Sequence, residues 1–228
     1  PVAGGAAACI PPDHAADAVR PRCSPDGAAI VYGRQRDPDH YADRVRLARF
    51  ERSAGTPTVL TEGWDRSCDG WEFADAATLV VTAEEHARGA LFVTDPRAPA
   101  TPQRLLASGS VHGAAVGGAE VWFQHHSLSS PPELARVALT MVGGPHAAPI
   151  PVSRENAALM AEVALGEVEE VHFPGAGGAE VQMFVMHPPG RRAAQKLPLV
   201  HLIHGGPHGV FGDQWHFRWY AQVLAGAG

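Results

Sequence analysis

The residue types best suited to catalysis in this chain lie at residues 204–209, which read His-Gly-Gly-Pro-His-Gly. Two consecutive glycines let the backbone approach a substrate carbonyl closely, because no Cβ stands in the way. Proline has no N–H, so the amides available to donate are those of Gly205, Gly206 and His208. An amide directed at the oxygen of a carbonyl under attack lowers the barrier by about 3–4 kcal/mol. The segment could therefore polarise a carbonyl group.

An apolar run at residues 197–203 precedes this loop and is interrupted only by Pro198 and His201. Such a run predicts a strand buried on both faces, which would deliver the loop to the carboxyl edge of a sheet, where α/β folds bind ligands. A His-Gly-Gly motif after an early strand also occurs as the oxyanion loop of α/β-hydrolases. Gly-Gly-Pro is also a plain turn at the end of a strand, so the motif alone leaves both interpretations open.

Helices are predicted near both ends of the second part of the chain. Asn156 is placed to cap a short helix over residues 157–163, which contain Ala, Leu and Met. Large apolar residues four apart predict another helix over residues 215–225. Two alternating segments around a glycine-rich turn predict a hairpin between the helices. The two segments are residues 167–173 and 180–187. Together with the apolar strand, these elements indicate the opening of an α/β domain at residues 157–228.

Turn-plus-strand units repeat through residues 1–156 at intervals of 42–49 residues. The predicted strands are residues 28–32, 78–81 and 120–123 in one ladder and residues 46–50, 90–94 and 133–137 in the other. Short strands with this period are typical of β-propeller blades, which bury one face by stacking on their neighbours. A β-sandwich with coincidental spacing is the alternative, and two ladders in register favour the propeller. Closure needs about four to eight blades, so we expect further blades before Pro1.

Taken together, these motifs resemble the prolyl oligopeptidase family of serine peptidases, especially bacterial members similar to acylaminoacyl-peptidases and dipeptidyl-peptidases. The segments that carry the resemblance are residues 24–27 (Ser-Pro-Asp-Gly), 64–67, 82–86, 127–134, 169–171 with 175–178, 204–209 and 212–219. The resemblance implies a β-propeller that caps an α/β-hydrolase domain and admits short peptides but not folded proteins. Residues 1–156 would then be C-terminal blades, about three in number, and residues 157–228 the N-terminal part of the peptidase domain.

The resemblance also implies roles for the loop glycines. The backbone N–H of Gly206 would be one oxyanion donor, with Gly205 as a supporting part of the loop, and the second donor would follow the nucleophilic serine. The chain departs from the family pattern there, because the G-x-S-x-G motif of the nucleophile elbow occurs nowhere in it. In α/β-hydrolases the nucleophile, acid and base follow the oxyanion loop, and no serine follows Gly209. We therefore expect the triad to lie outside this chain, which would be truncated before the elbow and inactive alone.

Other residues near the loop support more modest interpretations. His204 is interpreted as fixing the loop through hydrogen bonds, His208 as lining the mouth of the substrate site, and Trp215 as a wall of the substrate pocket. Asp213 resembles a catalytic acid only in type, so we interpret it as the entry to a helix. The thirteen histidines show no spacing that assembles three metal ligands, so neither a metal site nor a cofactor is predicted.

Composition excludes several classes of function. The 228 residues carry a formal net charge of −6 and no basic block, which argues against nucleic acid or an anionic membrane as a partner. Three cysteines without CxxC spacing indicate neither a disulfide framework nor a zinc ribbon. The leading hypothesis is a fragment of a serine peptidase that hydrolyses short peptides through an acyl-enzyme. The alternative is a non-enzymatic β-propeller binding module. The sequence leaves compartment, oligomeric state and substrate preference open.

Overall fold

The computed structural model describes residues 9–10, 14–106, 109–139, 147–192, 195–206 and 208–227. The first part of the chain forms three four-stranded antiparallel sheets, and each is a meander in which consecutive strands are neighbours. A two-stranded hairpin and two short helices follow. Within the described ranges the sheets form no closed ring, so the number of blades stays a prediction.

Each sheet uses one copy of the sequence repeat. The first contains β1 (Ala18–Cys23), β2 (Ala29–Arg34), β3 (Arg46–Glu51) and β4 (Pro57–Val59). The second contains β5 (Cys68–Phe73), β6 (Leu79–Glu85), β7 (Arg88–Thr94) and β8 (Gln103–Arg104). The third contains β9 (Ser110–Gly117), β10 (Glu120–Ser127), β11 (Ser130–Ala138) and β12 (Ile150–Pro151). The two predicted ladders coincide with the second and third strands of every sheet, so the strand repeat is present.

The Ser-Pro-Asp-Gly motif forms the turn between β1 and β2. Ser24 donates its hydroxyl to the carboxylate of Asp26 at 2.5 Å, and its Oγ accepts the backbone N–H of Ala29 at 2.9 Å. Asp26 also accepts the N–H of Ala28 at 3.0 Å. Gly27 has φ +71°, a left-handed conformation that glycine adopts without steric cost. Side-chain hydrogen bonds of this kind specify a tight turn and therefore the register of the hairpin.

The second sheet is buried on both faces. Side chains alternate across a strand, so Leu79 and Val81 of β6 pack into a cluster with the first sheet, whereas Val80 packs with the third. In β7, Phe92 joins the first cluster and Leu91 the second. This two-sided burial explains why the middle copy of the repeat reads as a continuous apolar run.

The second part of the chain begins at a helix whose first turn is held by β11. Helix α1 (Ala157–Glu162) matches the prediction, and Asn156 occupies the N-cap position. The Asn156 side chain makes no capping bond and instead donates to the Glu133 carboxylate at 2.8 Å, as does its backbone N–H at 2.8 Å. Glu133 also accepts the Ser153 hydroxyl, and this bond and those from Asn156 lower the pKa of Glu133 to about 2. The predicted side-chain cap is thus replaced by a tertiary contact.

The predicted hairpin is confirmed. Its strands are β13 (Val168–Pro174) and β14 (Glu180–Met186), joined by a 3₁₀ turn over Ala176–Gly178, and helix α2 (Ala221–Gly226) lies near the end of the chain.

The strand predicted over residues 197–203 is wrong for this structure. Leu199 is 91% exposed and Ile203 is 75% exposed, where burial on both faces was expected. A strand needs neighbouring strands to take up its backbone N–H and C=O groups, and no strand in the described part of the chain pairs with this segment. An apolar run indicates that a segment tends to be buried, but it does not show which strand would pair with it.

The second predicted helix is shorter than expected, because α2 excludes Trp215 and Trp219. The N–H of Trp215 donates to Nδ1 of His126 in β10 at 3.1 Å. The N–H groups of Arg218 and Trp219 donate to Nδ1 of His216 at 3.2 and 2.9 Å. In a helix that began at Trp215, only the last of these amides, that of Trp219, would have an intrahelical acceptor, and His216 takes it instead.

Neither helix in the described ranges is long and apolar enough to cross a bilayer. The described residues also bring together no group of three His, Cys, Asp or Glu side chains able to hold a metal ion.

We expect the Leu91→Ala substitution to lower the free energy of unfolding by about 2–5 kcal/mol, because Leu91 is fully buried between the second and third sheets. The matched control is Leu134→Ala in β11, since Leu134 is 49% exposed and should lose less than about 1 kcal/mol. Urea unfolding followed by tryptophan fluorescence measures both. Equal losses at the two positions would show that the packing between these sheets does not stabilise the fold.

Candidate functional site

The glycine-rich loop turns sharply at its second glycine. Gly206 has φ +139°, and a Cβ built on it would lie 2.8 Å from the backbone nitrogens of both His208 and Gly209. A Cβ on Gly205, by contrast, would meet nothing within 4 Å. The conformation at Gly206 therefore requires glycine, whereas the preceding position has room for a methyl group.

His204 contributes to the shape of the loop from its first position. Its Nδ1 lies 3.0 Å from the carbonyl oxygen of Gly205, within hydrogen-bond distance. Its ring meets Phe211 edge to face with 6.1 Å between centroids. These contacts agree with the predicted role of His204 in fixing the loop.

Tyr41, from the loop between β2 and β3, reaches the glycine-rich loop across the molecule. Its hydroxyl donates to the carbonyl oxygen of Gly206 at 3.4 Å and lies 3.4 Å from Nδ1 of His208. The rings of Tyr41 and His208 meet edge to face with 5.0 Å between centroids. The structure thus places His208 beside Gly206 and adds a side chain from the first sheet that sequence reasoning missed. Its one sequence signal is an aromatic residue in a polar loop, which is too weak to identify it.

A cleft of about 520 Å³, which we call the inner cleft, runs along the first strands of the three sheets. Its lining includes Arg20 of β1, Asp69 of β5 and His112 of β9. Arg20 has φ +51° at a β-bulge, an arrangement that redirects a side chain relative to a regular strand. The volume lies in the range of small-molecule and peptide sites.

Two acidic side chains of the second sheet, Asp69 at the inner cleft and Glu84 in β6, have raised pKa values. Burial raises the pKa of Asp69, and the charge of Arg20 opposes that rise. Burial likewise raises the pKa of Glu84, as does the nearby charge of Asp69, whereas His204 lowers it. Glu84 and His204 therefore interact electrostatically, whereas no described residue of the loop lines the inner cleft.

Trp215, which is predicted to be a wall of the substrate pocket, packs in an aromatic cluster. In the described part of the chain its ring contacts are with Tyr220, at 4.2 Å between centroids, and Phe217, at 6.5 Å. Its backbone is held by His126 through the hydrogen bond given above. The structure consequently brings His208 to Gly206 but packs Trp215 among neighbouring aromatic residues.

Asp213 does not lie at the start of a helix, so the predicted role at a helix N-terminus is wrong. Helix α2 begins only at Ala221, and Asp213 instead accepts a hydrogen bond from Nε of Arg88 at 2.9 Å. The two side chains are 14% and 21% exposed. Asp213 is therefore part of a largely buried ion pair between the second sheet and the segment that follows the loop.

Acidification should loosen the contact between His126 and Trp215. Burial is the main cause that lowers the pKa of His126 below its usual 6.5, the charges of His112 and His125 lower it further, and Asp213 opposes them. Because the folded pKa is depressed, the stability that neutral His126 contributes is complete above about pH 6.5 and is lost as the pH falls through the folded value. Hydrogen exchange at the Trp215 amide should therefore lose protection at acid pH. A His126→Asn variant, which keeps an acceptor at the Nδ1 position and does not titrate, should show no such loss, and equal pH dependence in the two proteins would contradict the assignment.

No family model matches the chain. Among curated proteins, it is 27% identical over 218 residues to dipeptidyl-peptidase 5 of Schizosaccharomyces pombe, a match that covers 91% of this chain and 30% of that protein. It is 30% identical over 214 residues to dipeptidyl-peptidase 5 of Arthroderma otae, covering 91% and 29% respectively. The chain thus spans about three tenths of the length of the curated relatives it matches.

Solved structures of peptidases share the fold. Acylaminoacyl peptidase of Pyrococcus horikoshii superposes with a TM-score of 0.71 at 16% identity, over 89% of this chain and 30% of that one. Dipeptidyl peptidase 4 of Porphyromonas gingivalis superposes with a TM-score of 0.65 at 15% identity, over 91% and 29%. The sequence relatives agree with the family resemblance that the motifs indicate. The chain is a partial relative of dipeptidyl-peptidases, which supports its resemblance to the prolyl oligopeptidase family of peptidases.

Proposed function

We propose that this chain is the part of a serine peptidase that carries the oxyanion loop, and that the whole protein hydrolyses short peptides. The observation that carries the proposal is the glycine-rich loop, whose Gly206 has a backbone conformation open only to glycine, in a chain related to dipeptidyl-peptidases. The rest of the catalytic machinery is assigned to residues outside these 228.

The proposal assigns the three sheets to consecutive blades of a β-propeller, residues 1–156, and residues 157–228 to the start of an α/β-hydrolase domain. Four-stranded meanders that stack face to face support the first assignment. The hairpin of β13 and β14 followed by the glycine-rich loop supports the second.

The chemistry follows from what an amide donor does to a carbonyl under attack. A serine hydroxyl, deprotonated by a histidine, adds to the peptide carbonyl, and the oxygen gains negative charge. The N–H of Gly206 donates to that oxygen, while Gly205 leaves the approach open because its Cβ position is empty. The histidine then gives the proton taken from serine to the leaving nitrogen, so that collapse of the intermediate expels the amine and leaves an acyl-enzyme, which water hydrolyses.

The inner cleft supports a short peptide as the substrate. It is large enough for a few residues, and its lining offers charged groups of both signs, Arg20 and Arg22 with Asp69 and Glu72, to the two ends of a peptide. His208 would line the mouth of this site, since it lies beside Gly206 and Tyr41. Trp215 stays a proposed wall of the pocket, acting through the aromatic cluster that it forms with Tyr220.

The test is expression of the complete reading frame that contains this chain, followed by hydrolysis assays on short chromogenic peptides. We expect Gly206→Ala to lower kcat about 100–1000-fold, the usual effect of losing one oxyanion donor, because the added Cβ displaces the donor amide. The control is Gly177→Ala in the β13–β14 turn, where φ is +67° and the Cβ position is open. It imposes similar backbone strain away from the loop and should leave kcat unchanged.

Two outcomes would contradict the proposal. One is a complete protein that hydrolyses no peptide and has no G-x-S-x-G motif after residue 228, which would favour the non-enzymatic binding module instead. The other is a fluorophosphonate probe that labels a serine within residues 1–228 stoichiometrically, since the proposal assigns the nucleophile elsewhere.

A further inference from the structure

Residues 212–215, which we call the anchor segment, dock on the second and third sheets just after the glycine-rich loop. The carboxylate of Asp213 lies between two strand ends. One oxygen accepts Nε–H of Arg88, the first residue of β7, at 2.9 Å. The other accepts the backbone N–H of Leu128, in the turn between β10 and β11, at 2.9 Å. Both carboxylate oxygens are therefore paired with different sheets.

The backbone of the anchor segment is held at the same place. The N–H of Asp213 donates to the carbonyl oxygen of Ala87 at 2.8 Å, and the hydroxyl of Ser110 donates to the carbonyl oxygen of Asp213. A Cβ on Gly212 would lie 2.3 Å from the Ala87 carbonyl oxygen, so only glycine permits this approach. Every polar group of Asp213 thus has a partner on the sheets.

The turn that receives the anchor segment has an unusual conformation. His86 and Ala87 join β6 to β7 with φ +50° and +55°, in the left-handed region that non-glycine residues rarely adopt. Both carbonyl groups of the turn are used, since Ala87 accepts from Asp213 and His86 accepts the side-chain amide of Gln182 in β14 at 3.0 Å. Rare backbone conformations of this kind persist where several surrounding contacts stabilise them, as the two hydrogen bonds to this turn do.

Arg88 joins the anchor segment to the hairpin as well. Its second arm donates to Glu170 of β13 at 2.7 Å, and its guanidinium lies 5.2 Å from the centroid of the Phe184 ring. Gln182 also donates to Glu170 at 2.7 Å. One forked guanidinium therefore holds two carboxylates from two separate segments, an arrangement that a lysine ammonium cannot reproduce with the same geometry.

The anchor segment is close enough to the loop to restrict it. Gly209 and Asp213 are four residues apart, so their Cα atoms are separated by at most about 14 Å. Between them, Phe211 packs edge to face on His204 and contacts the ring of His216, each at 6.1 Å between centroids. On the other side of the loop, residues 197–203 belong to no sheet in the described ranges. The C-terminal side of the loop is thus the side that is fixed to the sheets.

We propose that Asp213 is a positioning residue for the carbonyl-polarising loop: by pairing with Arg88 it fixes the loop on the sheets, so that the Gly206 amide meets the substrate carbonyl in a defined place. This inference rests on the proposed function. Asp213 touches none of the reacting groups and acts through the three residues, 210–212, that connect it to Gly209.

In the complete protein, Asp213→Asn should lower kcat about ten-fold and change KM less than two-fold. The asparagine amide turns one acceptor into a donor, which then faces the N–H of either Arg88 or Leu128. Arg88→Gln, which also removes the bond to Glu170, should lower kcat at least as much, and the double variant should be no worse than Arg88→Gln alone, because each change already removes the pair between Arg88 and Asp213. The matched control is Glu120→Gln, which breaks the ion pair with Arg136 on β10 and β11 and should leave both constants unchanged.

Hydrogen exchange on the 228-residue chain itself tests the anchor without any activity. Asp213→Asn should increase exchange at residues 204–211 and at Leu128, while protection in β6 and β7 stays as in the unchanged chain. If Asp213→Asn does not fold, Arg88→Lys provides the same test, since it keeps the charge and loses the fork; it should give intermediate exchange and an intermediate kcat.

The outcomes separate the two proposals. A complete protein without peptidase activity would remove the proposed function, and with it the catalytic part of this inference, while exchange would still report whether the segment is anchored. An active protein in which Asp213→Asn keeps the original kcat, KM and loop exchange would overturn the positioning role alone. A proportional fall in activity and thermal stability, with no change specific to the loop, would also overturn it, because that result indicates a merely structural residue.

Discussion

The alternation of side chains across a β-strand is the constraint on which this structure depends. A four-stranded meander can bury apolar residues on either face, but it needs a neighbour for each face. The second sheet has both neighbours, so Leu79 and Val81 pack with the first sheet while Val80 packs with the third. Three sheets held in this way present their turns at fixed places, and the second part of the chain uses those turns as its support.

Two kinds of interaction thus hold the structure together. Apolar packing holds the sheets to one another and is insensitive to which residue of similar size occupies each position. The junction with the second part of the chain is polar, built from Arg88, Asp213, Glu170 and hydrogen bonds to the His86–Ala87 turn. Hydrogen bonds have directions and fixed lengths, so a polar junction determines where the loop lies more narrowly than apolar contact of the same area would. Polar contacts at the junction and apolar packing between the sheets suit the proposed site, in which the Gly206 amide must lie opposite one substrate oxygen.

The parts of the fold that could be predicted are those specified by neighbouring residues. Turn residues such as Asp26 and Gly27, followed by apolar alternation, locate strands because the physical cause is local. The strand over residues 197–203 was wrong because burial depends on partners that no local pattern reveals. The helix over residues 215–225 was too long because Nδ1 of His216 takes the Trp219 amide. In the candidate site the glycines were found from their type, whereas Tyr41 and Arg88 were missed, since they meet the loop and Asp213 across 165 and 125 residues of sequence.

The same reasoning explains why the glycine-rich loop can be recognised in a chain that lacks a nucleophile motif. A glycine at Gly206 is required by local geometry, because any Cβ would clash with the next backbone nitrogens. That requirement does not depend on the substrate or on the serine, so the sequence shows it directly as a glycine at position 206. The placement of the amide relative to a substrate depends instead on distant contacts, which leave no such signal. The conformation of the loop and its position thus have separate physical causes. Gly206 determines the conformation, and the contacts of Asp213 with the sheets determine the position.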